Sequence, residues 1–158
     1  MFDLFFSFLH GIVYQYSLIG LFISSFLIST IFFPFSVELT FPILIRAGVH
    51  KIPILFVATF GSVAGTMVNY YIGYKGVALL RNYIRKDEVD KATKLMNRYG
   101  WFGVLAIVAT PFLSADPLTI LCGATKMNFK EFSVVVFFGK LIKYAIVLGV
   151  IEVIIRVF

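Results

Sequence analysis

The sequence predicts an all-α integral membrane protein built as an inverted-topology repeat. Each half is a re-entrant helical hairpin plus a transmembrane helix, with an N-terminal transmembrane helix and a cytoplasmic amphipathic helical loop added. Three observations carry this reading. Sixty per cent of the 158 residues are hydrophobic and only 14% are charged, against roughly 25% charged in a soluble domain, and the mean hydropathy is +0.96. Apolar stretches at 4–31, 53–74 and 131–158 reach the roughly 20 residues that cross a bilayer as a helix. Two shorter apolar stretches, 31–48 and 101–125, are each broken by prolines and a carboxylate. No Pro/Ser-rich linker divides the chain, so one domain, 1–158, is expected. The single cysteine, Cys122, cannot form an internal disulfide.

The stretch 4–31 is read as a retained membrane helix. A signal peptide would carry a basic segment ahead of a short apolar one, whereas Met1–His10 has Asp3 and no Lys or Arg. In 31–48, Pro34 and Pro42 flank Glu38; in 101–125, Pro111 and Pro117 flank Asp116. Proline removes a backbone donor and clashes with the preceding turn, so a straight spanning helix is disfavoured at both places. These prolines are therefore read as breaking two re-entrant hairpins, 53–74 and 131–158 as the following spans. The alternative is a pair of proline-kinked spanning helices.

Between them, 75–99 is the one extended polar region. Within it Lys75–Arg98 holds seven basic residues and three acids. Apolar residues recur at helical spacing, with Asp87 as a candidate cap and Gly100 as a stop. Two short amphipathic helices on the membrane surface are expected, on the cytoplasmic side by the positive-inside rule. Nucleic-acid binding has no other support in the chain.

The two broken stretches resemble each other. Each has Pro-Phe (Pro34-Phe35; Pro111-Phe112), a serine (Ser36; Ser114), a lone carboxylate (Glu38; Asp116) and a short apolar run ending at glycine (Gly48; Gly123). Lysine follows (Lys51; Lys126), then a span with a central glycine (Gly61 or Gly65; Gly139). A hairpin returns to the side it entered while the next span crosses, so two such units in succession have opposite orientation. Transporters often follow that plan and bind substrate near the midplane.

An ionisable residue inside an apolar span is a functional candidate. Here these are Glu38, Asp116, Lys140 and Lys143, with Tyr144 sharing the lysines' helix face. For the lysines, snorkelling to the surface is the competing explanation. The lysines are suited to attract an anionic headgroup such as phosphate, and the carboxylates to take up and release protons. Arg46 is a candidate outer anion contact; Asn69 and Tyr71 are candidates for neutral hydrogen bonds or ordinary interhelical contacts. Glu152 and Arg156, one turn apart, are expected to pair at the interface.

Taken in order, SFLISTIFFPFSVEL at 25–39, GSVAGTMVNYYIG at 61–73, NRYG at 97–100, ATPFLSADPLTILCGATKM at 109–127 and GKLIKY at 139–144 resemble the DedA superfamily, also called VTT or SNARE-associated proteins. The closest resemblance is to its small YqaA-like branch. That resemblance implies re-entrant hairpins in an inverted repeat and translocation or scrambling of phospholipids or polyprenyl phosphates, with proton dependence in bacterial members. It places the family's acidic hairpin residues on Glu38 and Asp116. Where the second hairpin usually carries an arginine, this chain has Thr110 and Asp116, and Lys140 and Lys143 are the candidates to supply the charge.

The expected function is therefore transport or scrambling of an anionic lipid in the plasma membrane of a prokaryote, with membrane lipids and protons as partners, no cofactor or metal, and a homo-oligomer left open. The alternative is a non-transporting assembly or stress factor that binds a partner subunit through its buried charges. An intramembrane enzyme is not expected: the two histidines, His10 and His50, form no metal motif, and no Ser-His or paired-aspartate arrangement is present.

Overall fold

The computed structural model describes residues 18–30, 37–79, 86–111 and 116–157. All the regular structure among them is helical: α1 (Leu18–Thr30), a 3-10 turn (Val37–Thr40), α2 (Phe41–Arg46), α3 (Lys51–Leu79), α4 (Lys86–Ala109), α5 (Asp116–Ala124) and α6 (Phe129–Val157). Residues 4–17 and 31 of the expected first span, and Pro34, lie outside the described residues, as do the side chains of Asp116, Pro117 and Arg156.

Among the described residues, two helices are long and apolar enough to cross a membrane, over Lys51–Gly76 and Phe129–Ile155. The faces of α6 are arranged for lipid outside and polarity inside. Val134, Phe138, Ile142, Ile146 and Val150 are exposed, while Lys140, Lys143 and Tyr144 are buried. A helix in water places its charges the other way round. Proline sits where a helix tolerates it: Pro42 lies in the first turn of α2 and Pro111 in the turn after α4. Gly100, at φ 55 and ψ −150, breaks α4 into a polar limb and an apolar one.

The turns after α2 and α5 are built alike. Gly48 N–H donates to Ile45 O and Val49 N–H to Leu44 O; 78 residues later, Lys126 N–H donates to Gly123 O and Met127 N–H to Cys122 O. Both are Schellman closures, with Gly48 (φ 83) and Lys126 (φ 56) in the left-handed position. The same 78-residue step relates the ends of α3 and α6, each 29 residues long. The equivalent of Gly48 is therefore Lys126, correcting the sequence pairing with Gly123. What recurs is the left-handed backbone, and a lysine has taken it here. The same step carries Glu38 onto Asp116 without a gap.

Contacts give the helix directions. Along α3, Gly61 meets Phe22 and Gly65 meets Phe26, so α1 runs parallel to α3. Lys51 meets Glu152, Ser62 meets Lys140, and Tyr70 meets Phe132, so α6 runs antiparallel to α3. A Cβ built on Gly65, the middle residue of α3, would lie 2.9 Å from Thr30 Oγ1. The last described residue of α1 thus lies beside the middle of α3, and α2 leads into the start of α3. Likewise α4 reaches Gly139, one turn short of the middle of α6, through Val108. Helix α5 lies backbone to backbone on α3: a Cβ on Gly123 would sit 2.0 Å from Tyr70 O, and one on Gly73 1.9 Å from Ile120 O.

Candidate functional site

Many buried hydroxyls are satisfied within their own helix. Ser24, Thr59 and Thr66 each donate to a carbonyl three or four residues back. A second group reaches between helices, and it collects around α6 at mid-length. Lys140 Nζ donates to Ser62 Oγ at 2.6 Å, Ser62 O at 3.2 Å and Ser29 Oγ at 3.2 Å. Tyr144 OH donates to Ser62 Oγ at 2.8 Å, and the Ser29 and Ser62 hydroxyls bond each other. Asn69 Nδ2 donates to Ser29 O at 2.8 Å, holding the end of α1 against α3.

One turn along α6, Lys143 Nζ lies 2.9 Å from Glu38 Oε1. Glu38 is 3% exposed and Lys143 9%. Neither carboxylate oxygen has a hydrogen bond of good geometry among the described residues. The contact is therefore a charge pair held by proximity, since Coulomb attraction needs distance and not alignment. The 3-10 turn places Glu38 there, and Phe41 anchors the turn by an edge-to-face contact with Tyr144, centroids 5.4 Å apart. Lys143 is the middle residue of α6, about 21 Å from either end at 1.5 Å per residue. A lysine stem is far shorter than that, so snorkelling does not account for it.

Of the residues singled out in the sequence, the structure brings Glu38, Lys140, Lys143 and Tyr144 together. Asp116 is the first residue of α5 and its side chain lies outside the described ones. Arg46 is exposed at the last turn of α2. Asn69 makes an interhelical bond, whereas Tyr71 is 52% exposed and meets the rings of Tyr70 and Phe129. Glu152 pairs with Lys51 of α3 at 2.6 Å, a partner the sequence reading did not weigh. Sequence reasoning also missed Ser29 and Ser62. The signal for Ser62 was present: Gly61-Ser62 precedes Gly139-Lys140 by the same 78 residues that separate Glu38 and Asp116.

The arrangement holds positive charge in a buried interior. Two ammonium groups, one carboxylate and three hydroxyls share a region walled by apolar helices, where an anion gains more from each contact than it would in water. The sequence model of the VTT domain matches residues 33–153, which covers the constellation from Glu38 to Tyr144 and leaves only Ser29 outside it. No curated protein and no solved structure is matched by the chain.

Proposed function

This chain belongs to the VTT-domain family of DedA membrane proteins, and from that premise we propose that it translocates or scrambles an anionic lipid, a phospholipid or polyprenyl phosphate. The observation that carries the proposal is the buried Glu38–Lys143 pair beside the Lys140–Ser62 contact, at the middle of an apolar 29-residue helix. Charges at that depth are costly in a bilayer and are kept where they serve transport.

In this reading the membrane domain comprises two hairpin-plus-span units of opposite orientation. The first hairpin, 31–48, includes α2 and follows the span that contains α1; the apolar limb of α4 and α5 are the arms of the second. The antiparallel run of α3 and α6, the matched turns, and an α4 that ends near the middle of α6 support it. The basic loop lies in the cytoplasm, the membrane is a prokaryotic plasma membrane, and the chain falls in the YqaA-like branch. The headgroup phosphate meets Lys140 and Lys143, Asp116 acts opposite Glu38, and a proton taken up by Glu38 releases Lys143 toward the phosphate. Arg46 receives the headgroup on the outer side.

The test is flux in liposomes containing the purified protein and a fluorescent lipid, with chemical quenching from one side to count lipid that has crossed. Faster crossing of an anionic lipid, lost in Glu38→Gln and Lys140→Ala, is the expected result. A folded wild-type protein that moves none of the lipids tried would refute the proposal.

A further inference from the structure

A groove of about 640 Å³ opens on the outer surface between the apolar limb of α4 and α6, on the face of α6 opposite the lysines. Trp101 and Leu105 form one wall and Val134, Phe138 and Ile142 the other; Lys130 and Glu131 line the end nearest the start of α6. From Lys130 to Ile142 is 12 residues, about 18 Å of helix. One leaflet's share of a hydrocarbon core roughly 30 Å thick is about 15 Å. The groove thus runs from the start of α6 to its middle, the length of one lipid tail and no more. Volume and apolar lining are those of a ligand site.

The charges at its mouth narrow the occupant. Lys130 and Glu131 are both exposed and adjacent, so the two charged residues that line the mouth offer both signs side by side. An anionic headgroup leaves Glu131 without a partner. A headgroup with a phosphate and a primary ammonium matches it: the phosphate accepts from Lys130, and the ammonium donates to Glu131. A quaternary ammonium has no proton to donate.

We infer that this groove is a resident site for a phospholipid with an ethanolamine-type headgroup, drawn from the leaflet at the N-terminal end of α6. This rests on the membrane placement of α6 and not on translocation, because the groove and the buried lysines lie on opposite faces of the helix. The site supplies a fixed annular lipid whose headgroup chemistry differs from that of the transported one.

Trp101 is the chain's single tryptophan, so its fluorescence reports the groove without labelling. The protein is reconstituted in vesicles containing lipids brominated on the acyl chain, with ethanolamine, choline or glycerol headgroups in turn. The expected result is quenching by the brominated ethanolamine lipid at a mole fraction at least threefold below that needed with the other two. Glu131→Gln should remove that preference and favour the glycerol lipid, while Leu105→Phe, which fills the groove, should weaken quenching by all three. Quenching that follows bulk mole fraction for every headgroup, or is unmoved by Glu131→Gln, would overturn the inference. So would absence of quenching, since a protein surface would then cover the groove. Lipid flux in the Glu131→Gln protein should remain at the wild-type level, which separates this result from the fate of the proposed function.

Discussion

Ser62 and Lys140 occupy equivalent places in two helices related by a 78-residue step, and they touch: Lys140 Nζ lies 2.6 Å from Ser62 Oγ. In the inverted repeat proposed above, only positions near the relating axis can meet their own equivalents. On that reading the contact marks the centre of the arrangement, where the chain has one cation and two-fold symmetry would put two. Lys143 repeats the asymmetry, since its equivalent in α3 is Gly65.

A cation at the axis is supplied equally well from either helix. The exchange Ser62→Lys with Lys140→Ser should therefore restore much of the lipid flux lost in Lys140→Ser alone, to within about threefold of wild type. Flux as low as in the single variant would show that Lys140 acts from α6 only. Ser62→Ala should cost about 1–3 kcal/mol of stability, because it removes the one hydroxyl that accepts from both a buried ammonium and a buried phenol; detergent thermal denaturation measures it.

Topology follows from the same contacts. Lys51 and Glu152 are paired, so the start of α3 and the end of α6 share one side of the membrane. The start of α6 lies with the end of α3, through Tyr71 and Phe129. On the second side stand Lys75, Lys126, Lys130 and the Lys86–Arg98 limb, which the positive-inside rule assigns to the cytoplasm. With Cys122 replaced, a cysteine at Lys94 should react only after the membrane is opened, and one at His50 should react from outside. The reverse labelling would invert the assignment; labelling of Lys51 and Lys126 positions from one common side would break it altogether.

Two glycines should differ sharply in what they tolerate. Gly123→Ala drives a methyl to about 2 Å from the Tyr70 carbonyl, which is backbone and cannot step aside, so α5 must leave α3. Overpacking of this kind costs about 1–3 kcal/mol or more. Gly149 has nothing within 4 Å of a built Cβ, and Gly149→Ala should leave the denaturation midpoint unchanged or slightly raised. Equal midpoints for the two variants would contradict the close α3–α5 packing.

Much of the site was legible because charge stands out against an apolar background. Glu38, Lys140 and Lys143 each break a hydrophobic run, and spacings of three and four placed the lysines with Tyr144 on one face. Ser29 and Ser62 were not legible, because serine is common in membrane helices and usually bonds its own backbone, as Ser24 does. Their meaning comes from which helices cross, and a single sequence does not state that. The placement of α1 was hidden for a different reason. Hydropathy registers that 4–31 is apolar enough to cross, but not that Thr30 lies beside the middle of α3.

The Glu38–Lys143 pair yields the sharpest prediction, because stability and transport should respond to it differently. Breaking a buried pair by removing one partner costs about 3–5 kcal/mol, while replacing both with apolar groups of similar size is often neutral. Lys143→Met alone leaves Glu38 without its described cation, and Glu38→Leu alone removes the carboxylate that faces Lys143 near the middle of α6, so each should lower the denaturation midpoint by several degrees. The double variant should recover most of that loss. Lipid flux should not recover: if the pair serves transport, a protein with both charges removed is stable and inactive. A double variant that is stable and still moves lipid at the wild-type rate would reduce the pair to a structural strut. Strictly additive losses of stability would instead show that the two side chains, 2.9 Å apart in the structure, do not depend on each other.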